Sequence, residues 1–132
     1  SCPTLRSSAL SALTGGLLHE HSSLEDLTSA AVDLHRGGAR CVLAKLGPRG
    51  VLVVNDGGST HVPGFSVDVV DTTAAGDCFN AAFAVAWLEG KSIRDAARFG
   101  NAAAACCVMR LGAQASMPSC AEVEHFLTSA RP

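Results

Sequence analysis

A short run of small and acidic residues in the middle of the chain has the composition of an anion-binding turn. It is Asp71-Thr-Thr-Ala-Ala-Gly-Asp77, and an apolar segment with an aromatic residue at every fourth position from 79 to 87 follows it. That spacing predicts a helix that begins near Asp77, and the valine-rich residues 66–70 predict a strand before it. The free amides and the dipole of a helix N-terminus favour an anion, and small residues leave room for a phosphate.

Asp77 lies at the predicted start of this helix, and the residues alone leave two roles open for it. One is a helix cap, for which Asp is a favoured residue. The other is a general base that removes a proton from a hydroxyl group while neighbouring amides hold the charge of the transferred group. The turn is therefore a candidate phosphate site with Asp77 as its candidate catalytic residue.

The elements around the turn predict an α/β fold. A helix that leads into a strand favours a parallel sheet, and open sheets of this class place ligands at the carboxyl ends of their strands. No internal repeat or long linker divides the chain, so one domain over residues 1–132 is expected. The predicted order is a short amphipathic segment at 5–13, a helix at 24–34, strands at 41–46 and 51–54 joined by a turn at 47–50, an extended piece at 59–63, the strand at 66–70, and helices at 77–89, at 92–109 and from 118 onward.

The composition limits the classes of partner. The chain has 132 residues, 48% of them hydrophobic and 17% charged, with a net charge of −2, which indicates a soluble globular domain. No cluster of Lys and Arg is present, so neither nucleic acid nor an anionic membrane is an expected partner. No apolar run approaches the roughly 20 residues that span a membrane, and the first residues lack a signal-peptide pattern.

Cysteine and histidine spacings give no metal or disulfide pattern. The six cysteines lack a Cys-x-x-Cys pair, so they are interpreted as small buried side chains in a reducing compartment. Cys78 is the exception to watch, because the pKa of a thiol can fall at a helix N-terminus. The five histidines also lack ligand spacing and are expected to be solvated.

Further motifs, in order with the central turn, resemble the ribokinase-like (PfkB-type) carbohydrate kinases, and most of all the ribokinase branch. They are Lys45-Leu-Gly-Pro-Arg-Gly50, His61-Val-Pro-Gly-Phe65, Arg98-Phe-Gly-Asn-Ala-Ala-Ala-Ala105 and Arg110-Leu-Gly-Ala-Gln-Ala-Ser116. The resemblance covers roughly residues 13–127. It implies the C-terminal half of a ribokinase-like α/β fold, a mostly parallel sheet flanked by helices.

The resemblance also implies an activity and its residues. The activity is ATP-dependent phosphorylation of a sugar hydroxyl, with D-ribose to ribose 5-phosphate preferred, and with Mg²⁺ and K⁺ as cofactors. Asp77 would bind the sugar hydroxyl and act as its base, with the amides of Ala74, Ala75, Gly76 and Asp77 as the anion hole. ATP-binding positions would be Lys45, Leu46, Gly47, Pro48, Arg49, Gly50, Gly76 and Asn101, the last near the adenine. The monovalent cation would lie among oxygen atoms of Asp71, Thr73, Cys107, Arg110, Gly112 and Ser116.

Each of these residues also has an ordinary structural interpretation. Residues 47–50 alone form a common turn sequence, and Asn101 could be a solvent-exposed helix residue. Asp71 could close a local turn onto Thr73, and Ser116 could be a loop hydroxyl.

The sequence departs from the family in length and in one motif. Family members are about twice as long, and their glycine-rich sugar-binding motifs and strand lid are not found in this sequence. Arg6-Ser-Ser-Ala9 stands where the family has an Asn-Glu-x-Glu pattern tied to Mg²⁺ and phosphate. A second hypothesis is therefore a catalytically incomplete half-domain that binds nucleotide and cation without kinase activity. The expected partners are a small-molecule sugar and ATP, the location cytoplasmic, and the candidate assembly a homodimer, because a half-domain would expose apolar surface.

Overall fold

The computed structural model of the protein describes residues 4–6, 22–112 and 117–130. These residues belong to two compact units, 1–62 and 63–132, each of which is described by itself. The single domain predicted over residues 1–132 concerns the whole chain and stays a prediction. Within the described ranges, no helix has both the length and the apolar character needed to cross a membrane.

The first unit contains a four-stranded sheet in the order β1-β2-β3-β4. Its strands are β1 (Thr4–Arg6), β2 (Cys41–Lys45), β3 (Val51–Asn55) and β4 (Gly58–Val62). β1 is parallel to β2, whereas the β2–β3 and β3–β4 pairs are antiparallel. Only residues 46–50 connect β2 to β3, and a parallel connection needs a dozen or more residues. The described strands therefore form a mixed sheet, and the predicted mostly parallel sheet is not confirmed.

Helix α1 (Leu24–Arg36) packs on this sheet through one apolar face. Ser23 caps the helix, with its hydroxyl oxygen accepting a hydrogen bond from the amide of Asp26 at 3.1 Å. The core below the helix consists of the fully or almost fully buried residues Leu27, Ala31, Val42, Ala44, Leu46, Leu52 and Val54. Alternate residues of β2 and β3 contribute to it, as expected for strands with one face toward a helix.

The second unit contains three helices: α2 (Ala75–Leu88), α3 (Ile93–Val108) and α4 (Cys120–Ser129). Small residues let α2 and α3 approach closely, and a Cβ atom placed on Gly100 would lie 2.8 Å from the Phe79 ring. The rings of Phe79 and Phe83 stack with their centroids 6.0 Å apart. All three helices were predicted, and their bounds differ from the predicted ones by a few residues at most.

The strand predicted at residues 66–70 is wrong. This segment forms no strand in the second unit, and Val69 and Val70 are 57% and 59% exposed. The amides of Val70 and Asp71 both donate to the Val108 carbonyl oxygen, at 2.7 and 3.1 Å. This segment is held by one carbonyl at a helix end, whereas a strand needs a row of hydrogen bonds to a neighbouring strand. The prediction was wrong because it relied on the valine content alone. Of the segment predicted at 5–13, residues 5 and 6 belong to β1 and the others lie outside the described residues.

Candidate functional site

The Asp71 carboxylate fixes the central turn. Its Oδ1 atom accepts hydrogen bonds from the Thr73 amide, at 2.9 Å, and from the Thr73 hydroxyl. Its Oδ2 atom accepts a hydrogen bond from the Gly112 amide at 3.2 Å. The hydroxyl bond, then the two amide bonds, lower the pKa of Asp71 below its ordinary value. Asp71 is thus an ionised bridge between the turn and the segment that follows α3, as well as the local turn onto Thr73.

A second set of contacts, with the end of α3, also holds the turn in place. The Val108 carbonyl accepts hydrogen bonds from the amides of Val70 and Asp71 at the start of the turn, and Ala74 and Cys78 pack in one buried cluster with Cys107. The start of α2 is therefore attached to the end of α3 by hydrogen bonds and by apolar contact. Such support from a rigid element keeps a site in one geometry.

The first turn of α2 presents free backbone donors. The N-cap residue is Ala74, which offers no side-chain acceptor, and the Cys78 amide donates to the Ala74 carbonyl at 2.9 Å. The Ala75 amide donates to the Thr72 carbonyl at 3.2 Å. No acceptor is found, within the described part of the chain, for the amides of Ala74, Gly76 and Asp77. Three free amides at the positive end of a helix dipole suit an anion such as a phosphate.

Asp77 lies in this first turn, and its side chain is exposed. Because the N-cap is Ala74, the helix-cap interpretation of Asp77 is not what the structure shows. Among the residues that the structure describes, none donates a hydrogen bond to the Asp77 carboxylate. The carboxylate is therefore available to accept a proton from a hydroxyl group placed beside the free amides.

The structure brings together part of the predicted cation site. Asp71, Thr73 and Gly112 are in direct hydrogen-bond contact. Cys107 and Arg110 form the turn that ends α3, where the Arg110 amide donates to the Cys107 carbonyl at 3.1 Å. Ser116 lies outside the described residues. The described part supplies an ionised carboxylate and neighbouring backbone oxygens, which are hard donors.

The predicted nucleotide loop, Lys45–Gly50, lies in the first unit. Residues Gly47–Arg49 form a 3₁₀ turn, which the Leu46 amide closes by donating to the Gly50 carbonyl at 2.8 Å. Gly47 and Gly50 have φ angles of 60° and 94°, in the region that favours glycine. Lys45 is half-buried, Leu46 is buried, and Pro48 is exposed. The loop is an ordered connection between β2 and β3.

Arg49 is anchored in this loop, which the sequence did not predict. Its Nη1 atom donates to the Ser22 carbonyl at 2.9 Å, and its own carbonyl is 2.7 Å from Nε2 of His61. Its Nε and Nη2 atoms are buried and have no acceptor among the described residues. Buried guanidinium donors without acceptors are costly, so Arg49 would gain from an added acceptor.

Asn101 is buried, with 7% of its surface exposed. Its Nδ2 atom donates to the Pro63 carbonyl at 3.1 Å. The interpretation as a solvent-exposed helix residue is therefore wrong. Its predicted place near an adenine is not tested by this geometry and stays a prediction.

Two predictions about titratable side chains are corrected. The pKa of Cys78 is raised to about 12, first by burial and then by contact with the Cys107 thiol, because the side chain points into the packing and not toward the free amides. His35 and His61 are half-buried and hydrogen-bonded, not solvated; Nδ1 of His35 is 2.6 Å from the Ala39 carbonyl. His19 and His21 lie outside the described residues, and His125 is exposed.

The other cysteine predictions have mixed outcomes. Cys41, Cys106 and Cys107 are buried, as predicted, whereas Cys120 is exposed. None of these residues or Cys78 forms a disulfide, and Cys2 lies outside the described residues.

Comparison with known proteins decides the family. Residues 8–120 match the pfkB family of carbohydrate kinases, which is most of the chain. This chain belongs to the pfkB carbohydrate kinase family. The central turn and helices α2 and α3 lie within the matched residues, and the fold is the ribokinase-like α/β fold.

Individual pfkB relatives match closely over part of their length. Ribokinase of Haemophilus influenzae is 45% identical over 106 residues, which are 80% of this chain and 35% of the relative. The structure of Thermotoga maritima ribokinase is 46% identical, with a TM-score of 0.84 over 95% of this chain and 41% of that one. Arabidopsis thaliana ribokinase complexed with ribose and ATP is 38% identical, with a TM-score of 0.85 over 94% of this chain and 39% of that one. The chain therefore spans less than half the length of these relatives.

Proposed function

We propose that this chain is the phosphoryl-transfer portion of a sugar kinase that phosphorylates D-ribose to ribose 5-phosphate with ATP. The observation that carries the proposal is the first turn of α2, where free amides adjoin an exposed carboxylate that accepts no hydrogen bond from any residue the structure describes. The similarity to ribokinases, one of them complexed with ribose and ATP, supports the choice of substrates.

Asp77 accepts the proton of the sugar hydroxyl in the proposed reaction. The hydroxyl oxygen forms a bond to the γ-phosphorus as the bond from that phosphorus to the ADP oxygen breaks. The amides of Ala74, Gly76 and Asp77 donate to the transferred group, whose negative charge they stabilise. The Ala75 amide, also assigned to the anion hole, would first have to leave the Thr72 carbonyl.

The described residues offer no separate site for Mg²⁺, so Mg²⁺ is proposed to enter as an ion bound to ATP. They contain no group of three or more His, Cys, Asp or Glu side chains that could hold a metal ion. Mg²⁺ carried by ATP would supply charge neutralisation on the nucleotide phosphates. The chain's own part is to position the phosphates with backbone amides.

We assign K⁺ to the oxygen atoms beside the turn. Asp71 supplies a full negative charge, and Thr73, Cys107, Arg110, Gly112 and Ser116 supply the remaining oxygens. Lys45–Gly50 and Gly76 would contact the ATP, and Asn101 would lie near its adenine. A cation at Asp71 would stiffen the segment that carries the free amides, since Asp71 ties that segment to Gly112.

Calorimetric titration with ATP tests the nucleotide part of the proposal. We expect saturable binding in K⁺ buffer and weaker binding in Na⁺ buffer. Asp71→Asn should remove most of this difference because it removes the carboxylate charge, and Gly76→Val should weaken binding in both buffers. Asp68→Asn, an exposed acid outside the turn, is the matched control. Absence of ATP binding in both buffers would contradict the proposal.

Ribose-dependent release of ADP tests the transfer step. Asp77→Asn should reduce turnover by about 10²- to 10⁴-fold, the range for loss of a general base, while ATP affinity changes little. ATP binding without ribose-dependent turnover in the unsubstituted chain would instead favour the second hypothesis, an incomplete nucleotide- and cation-binding half-domain. A homodimer and a cytoplasmic location remain predictions.

A further inference from the structure

The Cys78 sulfur contacts two other sulfur atoms behind the central turn. The Cys78 thiol donates to the Met117 Sδ atom at 3.3 Å and is also in hydrogen-bond contact with the Cys107 thiol. Cys78 and Cys107 are 2% and 1% exposed and belong to one buried cluster. Cys78 belongs to α2, Cys107 to α3 and Met117 to the segment before α4. The arrangement therefore depends on tertiary packing, and no Cys-x-x-Cys pattern in the sequence predicts it.

We infer that Cys78, Cys107 and Met117 form a binding site for the soft cation Cu(I), separate from the oxygen atoms proposed for K⁺. Thiolate and thioether sulfur are the ligands that select Cu(I), whereas Mg²⁺ and K⁺ prefer oxygen. On binding, two Cu–S(Cys) bonds and one Cu–S(Met) bond form, the two thiol protons pass to solvent, and no electron is transferred. Cys107 would thus contribute its thiol to this site and only its carbonyl to the K⁺ site.

The geometry needs a small adjustment. Three sulfur ligands arranged trigonally at about 2.3 Å from one metal ion are roughly 4.0 Å apart, so the Cys78 and Met117 sulfurs, now 3.3 Å apart, would separate by about 0.7 Å. Met117 can supply this movement because its unbranched side chain has three rotatable bonds. Met117 is also 46% exposed, which gives the ion a path from solvent to the buried thiols.

Cys106 provides a matched control for the site. It is buried in α3 next to Cys107, but its side chain lines a groove of about 290 Å³ with Arg110, His125 and Phe126. Replacing Cys106 therefore removes a buried thiol from the same helix without touching the three sulfur atoms of the site. Cys120, which is exposed, is a second control for adventitious binding at the surface.

Titration of the reduced chain with Cu(I) against a chromogenic chelator tests the inference. We expect Cys78→Ser or Cys107→Ser to weaken the tightest binding event by at least about 100-fold, since loss of a second-shell partner alone costs 10- to 100-fold. Met117→Leu should weaken it less, by about 10-fold. Cys106→Ser and Cys120→Ser should leave it unchanged. Equal affinity in the Cys78→Ser chain, or loss of binding only in Cys120→Ser, would overturn the inference.

X-ray absorption at the copper edge is a second test, which needs no cysteine variant and therefore remains valid if such a variant fails to fold. The unsubstituted chain with one equivalent of Cu(I) should show three sulfur neighbours at about 2.3 Å. A shell of nitrogen or oxygen neighbours, or only two sulfurs in both the unsubstituted and the Met117→Leu chains, would overturn the three-sulfur site. Neither readout depends on kinase activity, so the outcome is independent of the proposed function.

Discussion

Asp71 and Asp77 are the two acidic residues of the central turn, and their environments are opposite. Both carboxylate oxygens of Asp71 accept hydrogen bonds, from Thr73 and from Gly112. The Asp77 carboxylate is exposed and has no donor among the described residues. A carboxylate that is already hydrogen-bonded holds structure, and one that is free beside open amides can react with a ligand. The same residue type thus has two roles within seven positions.

The stability of the second unit should depend on pH through Asp71. Its pKa is lower in the folded chain than its ordinary value of 3.8, so its contribution is complete above that value and is lost as the pH falls through the folded-state pKa. We expect Asp71→Asn to lower stability at pH 7 and to flatten its decline in the acid range. Chemical unfolding between pH 2 and 7 measures both effects. A decline in the variant identical to that of the unsubstituted chain would contradict the role given to Asp71.

Helices α2 and α3 together set the position of the turn. The last residues of the turn belong to α2, and the carbonyl at the end of α3 accepts hydrogen bonds from its start. Their close approach occurs at Gly100, where any side chain would meet the Phe79 ring. Phe79 is two residues beyond Asp77, so a shift of α2 at this contact would also move the free amides. Packing between two helices is therefore part of the construction of the candidate site.

Gly100→Ala should destabilise the chain by about 1–3 kcal/mol, because the added methyl group overpacks the contact with Phe79. Thermal and denaturant unfolding measure the change. Phe79→Leu removes the ring but leaves the Phe79 carbonyl oxygen, 3.2 Å from the same Cβ position, so Gly100→Ala in that background should cost clearly less. An equal loss in both backgrounds would show that the ring contact is not the cause.

Helix α4 begins with a capping box formed by Ser119 and Glu122. The Ser119 hydroxyl accepts from the Glu122 amide at 3.2 Å, and the Glu122 carboxylate accepts from the Ser119 amide at 3.3 Å. Ser119→Ala should cost about 1 kcal/mol of the free energy of unfolding. Ser129→Ala, at the other end of the same helix, is the control and should cost less. Equal losses in the two variants would argue against a capping contribution.

At the scale of the whole molecule, several large apolar side chains remain exposed. Trp87 and Leu88 at the end of α2 are 49% and 84% exposed, and Leu111 is 75% exposed. Exposed apolar groups of this size favour association with another surface. The relatives are more than twice as long as the aligned part of this chain, so their remaining residues are candidates to cover such groups.

We expect the 132-residue chain to associate with itself as its concentration rises. Trp87→Ser combined with Leu88→Ser should shift the equilibrium toward monomer, because it removes apolar area without altering the turn. Sedimentation velocity over a range of concentrations measures the shift. Glu89→Ser, an exposed neighbour, is the control. A monomer at every concentration in the unsubstituted chain would contradict this prediction.

The sequence by itself determined the helices, the β2–β3 hairpin and the position of the turn, because these depend on local patterns. Ser23, Ser92 and Ser119 each precede a helix and cap it, a position that favours serine. The ordered motifs also indicated the pfkB family, which the match over residues 8–120 confirms. The assigned roles in binding and catalysis stay predictions, because they concern ligands.

Only the tertiary structure decided how distant residues meet. The contact of Asp71 with Gly112, the two amides on the Val108 carbonyl and the burial of Asn101 against Pro63 join residues about 40 positions apart. The valines before the turn suggested a strand, but hydrogen bonding to one carbonyl at a helix end overrode their preference. Cys78 likewise has a raised pKa because packing turns its thiol inward. Local pattern fixes the elements, whereas burial and the pairing of remote polar groups depend on how the elements pack.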